Sequence, residues 1–332
     1  MSRMPTIYNA GSLNIDDVFR TSHIVRAGET LPSRSLVRYA GGKGLNQTTA
    51  LTRAGVRVCH FGRIGDDGMF LKQGLEADGA DVSGIVAADE PTGHAIIQVA
   101  DDGENAIVLF GGANRTWSRT DIDRLLAVAR AGDILLLQNE INFLPELMSD
   151  AADAGLRLAM NPAPMTPEIV NCPLEKLSWL VVNEIEGHEL AGIPLRTAGA
   201  ADHKPAGDAD HKPAGDADHE AEQRGDEEVV AELRSRYPGV VVIMTLGERG
   251  AIRSDDSGMI RSCFAALEDI VDTTGAGDSF MGYWLAGEVR GLSAREGLRR
   301  ACIAGAIAVT RSGATASIPL AEEVERIFHR YI

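Results

Sequence analysis

The sequence predicts an α/β protein with a mainly parallel central sheet covered by helices on both faces. Three observations predict it. Residues 133–138 (DILLLQ), 156–160, 179–182 and 240–245 are continuous apolar runs, as strands buried on both faces require. Segments of helical period separate or follow them, at 121–130, 143–154, 227–236, 277–290 and 294–310. Polar residues gather just past the ends of the strands, where open parallel sheets bind ligands. Strand alternating with helix reads as a layered fold.

In chain order, residues 6–10 form a first short strand. Gly41-Gly42-Lys43-Gly44 then opens an apolar-periodic helix that stops at Gly55, since glycine ends a helix readily. Residues 56–61 follow as a strand and 69–78 as a helix. Two stretches break the rhythm. Residues 18–39 read as hairpin or edge-strand material. Residues 94–99 and 106–110 alternate as two strands joined by Asp101-Asp102-Gly103, a turn suited to a hairpin. A small β subdomain outside the main sheet accounts for both, and such flaps often close over ligands.

Composition bounds the function. The chain has 332 residues, 44% of them hydrophobic, and a formal net charge of −16. That apolar content supports a full core. The acidity argues against nucleic acid or an anionic membrane as the main partner. It leaves room for a phosphate held locally by backbone N–H groups, a metal and a few basic side chains. Cys59, Cys172, Cys263 and Cys302 are scattered with no C-x-x-C pair, so neither a disulfide framework nor a zinc ribbon has support. The first residues lack a secretory h-region and no apolar run approaches a membrane span, so a cytoplasmic location is expected.

One internal repeat stands out. ADHKPAGD at 201–208 recurs letter for letter at 209–216 and begins again at Ala217-Asp218-His219. Residues 201–228 hold ten acids and three bases. With no large apolar residue between Arg196 and Val229, residues 196–228 read as a disordered surface insertion. His203, His211 and His219 each neighbour an Asp. A duplicated polar linker explains them better than a metal tract, because flexible side chains lose much entropy in converging on an ion.

Two Gly-rich loops carry the chemistry. In Asp272-Thr273-Thr274-Gly275-Ala276-Gly277-Asp278-Ser279-Phe280, Gly275 and Gly277 free the backbone to turn and approach a ligand. N–H groups at the helix start then form an anion cradle. Asp278 at its mouth can take a proton from a hydroxyl while the cradle holds a transferred phosphoryl group. The plainer reading is an N-cap Asp on a glycine turn. The loop Gly41-Gly42-Lys43-Gly44-Leu45-Asn46-Gln47 is neither a Walker A loop nor G-x-G-x-x-G, but Lys43 and Asn46 suit a polyhydroxylated ligand. Asn14 and Asp16 share a strand face. Glu140, Asn183 with Glu186, and Thr245-Leu246-Gly247 through Gly250 each follow a strand.

These residues together resemble the ribokinase family of PfkB-type carbohydrate kinases. GGKGLNQ and DTTGAGDSF occur in the family's order with N-x-x-E and T-L-G-x-x-G between them, and the likeness runs from Gly11 to about Pro319 apart from 196–228. It implies one kinase domain over 1–332, a three-layer α/β/α sandwich with a small β-sheet lid from about 14–40 and 94–110. It implies that ATP phosphorylates the primary hydroxyl of D-ribose to give D-ribose 5-phosphate. Asp278 would be the base, and Gly275, Ala276 and Gly277 the anion hole. Asn14, Asp16, Gly42, Lys43, Asn46 and Glu140 would hold the sugar, with Ile97 and Leu109 on its apolar side. Asn183, Thr245, Gly247 and Gly250 would meet ATP, and Glu186 would meet Mg²⁺ partly through water. Asp272, Thr274, Ala308, Arg311, Gly313 and Ser317 would ring K⁺ as an activating monovalent cation. The lid would pair two subunits into a homodimer. His94 stands on a lid strand where an apolar residue is usual, and reads as a flap cap more than a sugar contact. The rival readings are a ketose, deoxyribose or nucleoside kinase, a sugar sensor without turnover, and a scaffold working through the repeat. Nucleoside recognition would need an aromatic slot, and only 5% of the chain is aromatic.

Overall fold

The computed structural model describes residues 3–195, 216–264 and 269–331, with the backbone alone for 216–222. Nine strands form the main sheet: β1 (Ile7–Ala10), β4 (Val58–Ile64), β5 (Asp81–Ala87), β8 (Ile134–Gln138), β9 (Arg157–Asn161), β10 (Trp179–Asn183), β11 (Val241–Thr245), β12 (Ala251–Asp255) and β13 (Gly258–Ser262). Their order is β13-β12-β11-β10-β9-β8-β1-β4-β5. Every pairing from β5 to β11 is parallel; β12 and β13 close one edge antiparallel. A second sheet, ordered β3-β2-β6-β7, contains β2 (Asn14–Arg20), β3 (Ser35–Gly41), β6 (Gly93–Val99) and β7 (Asn105–Phe110).

The helices among the described residues are α1 (Lys43–Arg53), α2 (Met69–Asp78), α3 (Arg119–Val128), α4 (Leu144–Asp153), α5 (Glu184–Ala191), α6 (Asp216–Arg236), α7 (Ala276–Arg290), α8 (Ala294–Ala308), α9 (Ala314–Ser317) and α10 (Ala321–Arg330). They divide between two cores. Leu45, Leu75, Trp284, Leu298 and Phe328 pack one face of the sheet. Ile122, Leu147, Leu190 and Val229 pack the other. Strand β8 shows why its sequence is uniformly apolar. Ile134 and Leu136 enter the first core, while Leu135 and Leu137 enter the second. Successive strand side chains alternate faces, so a sheet covered twice needs apolar residues at both phases.

The chain builds β1, β4 and β5 outward in one direction and then starts β8 on the other side of β1. The strand order reverses there, which opens a crevice beyond the carboxyl ends of β1 and β8. The segment after β1 runs directly into β2 of the small sheet, so that sheet stands over the crevice. The expected strands and flap segments are present, with ends shifted by up to four residues. Strands β5, β12 and β13 and helices α9 and α10 are additional to the expected elements.

One expectation is corrected. Residues 216–228 belong to α6 and are not a disordered tract. Val229 and Val230 are fully buried on that helix, and Asp226 is buried too, paired with Arg249 and Arg261. A helix anchored by apolar residues at its far end extends backward through the acidic stretch, because Glu, Ala and Gln are good helix formers. Residues 196–215, with His203 and His211, lie outside the described residues, as does the side chain of His219.

Candidate active site

A cleft of about 650 Å³ lies at this switch point. Asn14, Asp16, Gly42, Lys43, Asn46, Glu140, Asn183, Glu186, Thr245, Gly247, Thr274, Gly275, Gly277 and Asp278 all line it. Ala95, Ile97, Ile107 and Leu109 of the small sheet form an apolar wall. Residues from distant parts of the chain thus converge as their spacing past strand ends suggests.

Asp278 sits in the first turn of α7 and is buried. Asn46 Nδ2 donates to its Oδ2 at 3.0 Å and Gln47 Nε2 to its Oδ1 at 2.9 Å. Gly275 precedes the helix with φ of 80°, and no side chain caps it. The positive φ favours glycine, and an uncapped helix start leaves N–H groups for an anion. Ala276 does not line the cleft; its N–H points to the Thr273 carbonyl at 3.3 Å.

The opposite end is rich in carboxylates. Glu140 accepts from Ser12 Oγ, and from the Lys43 backbone N–H at 3.0 Å. Burial pushes its pKa up, against the pull of those two partners. Asn14 Oδ1 accepts from Asn114 Nδ2 at 2.7 Å, which turns the Asn14 amide nitrogen into the donor it can offer to a ligand. Burial, then the charges of Glu140, Asp17 and Asp278, push Asp16 up to about 7. Burial opposes the charge on Lys43, but Asp278, Glu140 and Glu186 more than offset this and hold its pKa above the ordinary value. Five carboxylates and one ammonium line the cleft. Such a site suits a neutral ligand with many hydroxyls, and a polyphosphate would need a metal ion to enter it.

Asn183 and Glu186 form a capping box on α5. Asn183 Oδ1 accepts from the Glu186 N–H at 2.8 Å, and Glu186 Oε2 from the Asn183 N–H at 2.9 Å. Burial raises the Glu186 pKa. The N-x-x-E spacing is therefore explained twice: the helix start needs it, and it fixes a carboxylate at the cleft. No group of three or more His, Cys, Asp or Glu among the described residues is placed to hold a metal by itself.

The remaining expected residues lie outside the cleft lining. Gly250 closes the loop after β11, its carbonyl accepting from the Leu246 N–H at 2.8 Å. Asp272 accepts from the N–H groups of Thr274 at 2.9 Å and Gly313 at 3.0 Å. Burial opposes its charge, yet these bonds hold its pKa below the usual carboxylate range. Ser317 is buried and donates to Ala314 O at 2.8 Å. The Ala308 carbonyl accepts from the Arg311 N–H at 3.1 Å, and the Arg311 guanidinium pairs with Glu323. His94 lies 3.2 Å from Asp17, which also holds Arg38; it fastens the small sheet and does not line the cleft.

Sequence reasoning passed over Gln47, Asn161 and Ser12. Gln47 belongs to the Gly-rich motif itself. Asn161 ends β9 and lines the cleft, so the strand-end rule that selected Glu140 selects it too.

Residues 4–321 match the model of the pfkB family of carbohydrate kinases. The chain belongs to this family and is a kinase. It is similar to the ribokinase of Haemophilus influenzae, 32% identical over 327 residues that cover 96% of either chain. Among solved structures it resembles the ribokinase of Cryptococcus neoformans var. grubii serotype A in complex with ADP (33% identity, TM-score 0.80, 97% of this chain and 99% of that one). It also resembles Arabidopsis thaliana ribokinase complexed with ribose and ATP (26% identity, TM-score 0.79, 98% and 99%).

The state of Asp16 has a measurable consequence. The folded protein keeps its proton up to about pH 7, whereas the unfolded chain loses it near 3.8. Stability from this group is full below the unfolded value, falls as pH rises between the two, and is lowest above pH 7. The Asp16→Asn variant, without sugar, should therefore gain on the order of 2–4 kcal/mol at pH 8 and much less at pH 5. Thermal unfolding at the two pH values checks this; an equal gain at both would refute it.

Proposed function

We propose that this chain transfers the γ-phosphoryl group of ATP to the primary hydroxyl of D-ribose, giving D-ribose 5-phosphate, in the cytoplasm. The observation that carries the reading is Asp278: a buried carboxylate, held by two amides, at an uncapped helix start in a cleft of hydroxyl-binding residues. The named activities of the similar ribokinases support it.

The residues divide the work. Asp16, Glu140, Lys43 and the Asn14 amide bind the sugar hydroxyls, while Ile97 and Leu109 exclude water from its apolar side. Asp278 takes the proton of the primary hydroxyl. That oxygen forms its bond to the γ-phosphorus as the bond to the ADP oxygen breaks. The N–H groups of Gly275 and Gly277, which line the cleft, hold the charge on the moving phosphoryl group, and the Ala276 N–H joins them only if it leaves the Thr273 carbonyl. Asn183, Thr245, Gly247 and Gly250 position the nucleotide. Mg²⁺, when bound with ATP, neutralises phosphate charge. Glu186, fixed at the cleft by its bond from the Asn183 N–H, would hold it partly through water.

Asp272 ties the segment before α7 to the segment before α9 through Thr274 and Gly313. These residues, with Ala308, Arg311 and Ser317, would surround K⁺ and stiffen the anion hole. The small sheet exposes Ile107, Val108, Leu109 and Phe110 along β7. An unpaired apolar edge of this kind supports a homodimer through the lid.

Asp278→Asn should lose at least ~100-fold in kcat while ribose binding survives; turnover near the wild-type rate would sink the assignment. Coupled assays with ribose, 2-deoxyribose, fructose, allulose and adenosine should rank ribose first by kcat/KM, and any other leader would replace it as substrate. Activity should rise when K⁺ replaces a bulky organic cation; equal rates would remove the cation site. Sedimentation should give twice the chain mass, and a monomer would remove the lid dimer.

A further inference from the structure

Asp278 is not held by the cleft alone. Gln47 Nε2 donates to it, yet Gln47 is fully buried behind it and does not line the cleft. Gln47 Oε1 accepts from Gln138 Nε2 at 2.8 Å. The same nitrogen of Gln138 donates to Asn9 Oδ1 at 3.0 Å. Asn9 Nδ2 in turn donates to the Gly44 carbonyl and to Thr48 Oγ1, each at 2.8 Å. Three buried amides thus stand in series between α1 and the carboxylate.

The direction of the series is imposed from its ends. A backbone carbonyl can only accept, so Asn9 turns its NH₂ to Gly44 and its Oδ1 to Gln138. Gln138 must answer with its NH₂, which also meets Gln47 Oε1. Gln47 is left with its NH₂ toward Asp278. The chain delivers a donor to the carboxylate and never an acceptor. This arrangement leaves Gln138 Oε1 buried without a hydrogen-bond partner among the described residues. A buried acceptor in that state is destabilising, and folds break such local rules where a site requires it.

We propose that Gln138 and Gln47 are positioning residues for phosphoryl transfer, aiming the Asp278 carboxylate at the acceptor hydroxyl through a relayed hydrogen bond. Asn46 holds one oxygen and Gln47 the other, so the carboxylate cannot turn about its Cβ–Cγ bond without losing a donor. Neither glutamine touches the substrate. The inference rests on Asp278 acting as the base.

Gln138→Leu removes the relay at similar volume. Its kcat should fall about tenfold or more, with KM for ribose and for ATP within about twofold of wild type. Combined with Asp278→Asn, it should cause no further loss, because both changes remove the same aimed base. A residue with a merely structural role would lower the unfolding temperature and multiply the Asp278→Asn defect. A single-variant kcat within about twofold of wild type, or a multiplying loss, overturns the proposal. Should Gln138→Leu not fold, Gln47→Met is measured in the same way. An Asp278→Asn enzyme with near wild-type turnover identifies the base assignment itself as the failure, and is seen before any double variant is made.

Discussion

The crossing of α1 over α7 is the constraint on which the site depends. A Cβ on Gly282 would lie 2.4 Å from that of Ala50, so the two helices touch nearly backbone to backbone. A glycine inside a 15-residue helix is destabilising by about 0.5–1 kcal/mol relative to alanine. The return is that the first turns of both helices meet. Asn46 and Gln47 on one then reach Asp278 on the other, within the electrostatic influence of Lys43. Among the described residues both hydrogen bonds to that carboxylate come from α1, and the polar series behind Gln47 ties α1 to β1 and β8.

The second constraint is charge. Glu140, Glu186 and Asp278 act on Lys43, Asp16 feels Glu140 and Asp278, and burial raises Asp16, Glu140 and Glu186 above their ordinary pKa values. Negative charge is therefore concentrated in the cleft. A neutral ligand rich in hydroxyls adds nothing to that charge, so the cleft suits it without a basic surface.

Much of this was legible in the sequence because its signals are local. Uniform apolarity in β8 follows from being covered on both faces, and glycines before α1 and α7 mark turns with N–H groups to spare. Asn183 and Glu186 stand out in the sequence by following a strand, but their capping role emerged only from the bonds between them. What was not legible depends on distant partners. Strand β13 is the edge of the sheet and β12 lies next to it, both short and weakly alternating. Asp226 looks like one more acid in a solvated run, and only folding brings Arg249 and Arg261 to it. Gln138 reads as the polar end of an apolar strand, and its direction is set by Asn9 from 129 residues away.

The clamps around α6 bear on the repeat. At one end Arg249 joins Asp226 of α6 to Glu184 of α5. At the other, Arg236 of α6 donates to the carbonyls of Leu190 and Ala191 at the close of α5, at 2.9 and 2.6 Å. The two helices flanking the repeated octapeptide are thus fastened to each other independently of what joins them. The contacts that hold α5 to α6 therefore set no copy number for ADHKPAGD: both helix ends are fixed by side chains that the repeat does not supply.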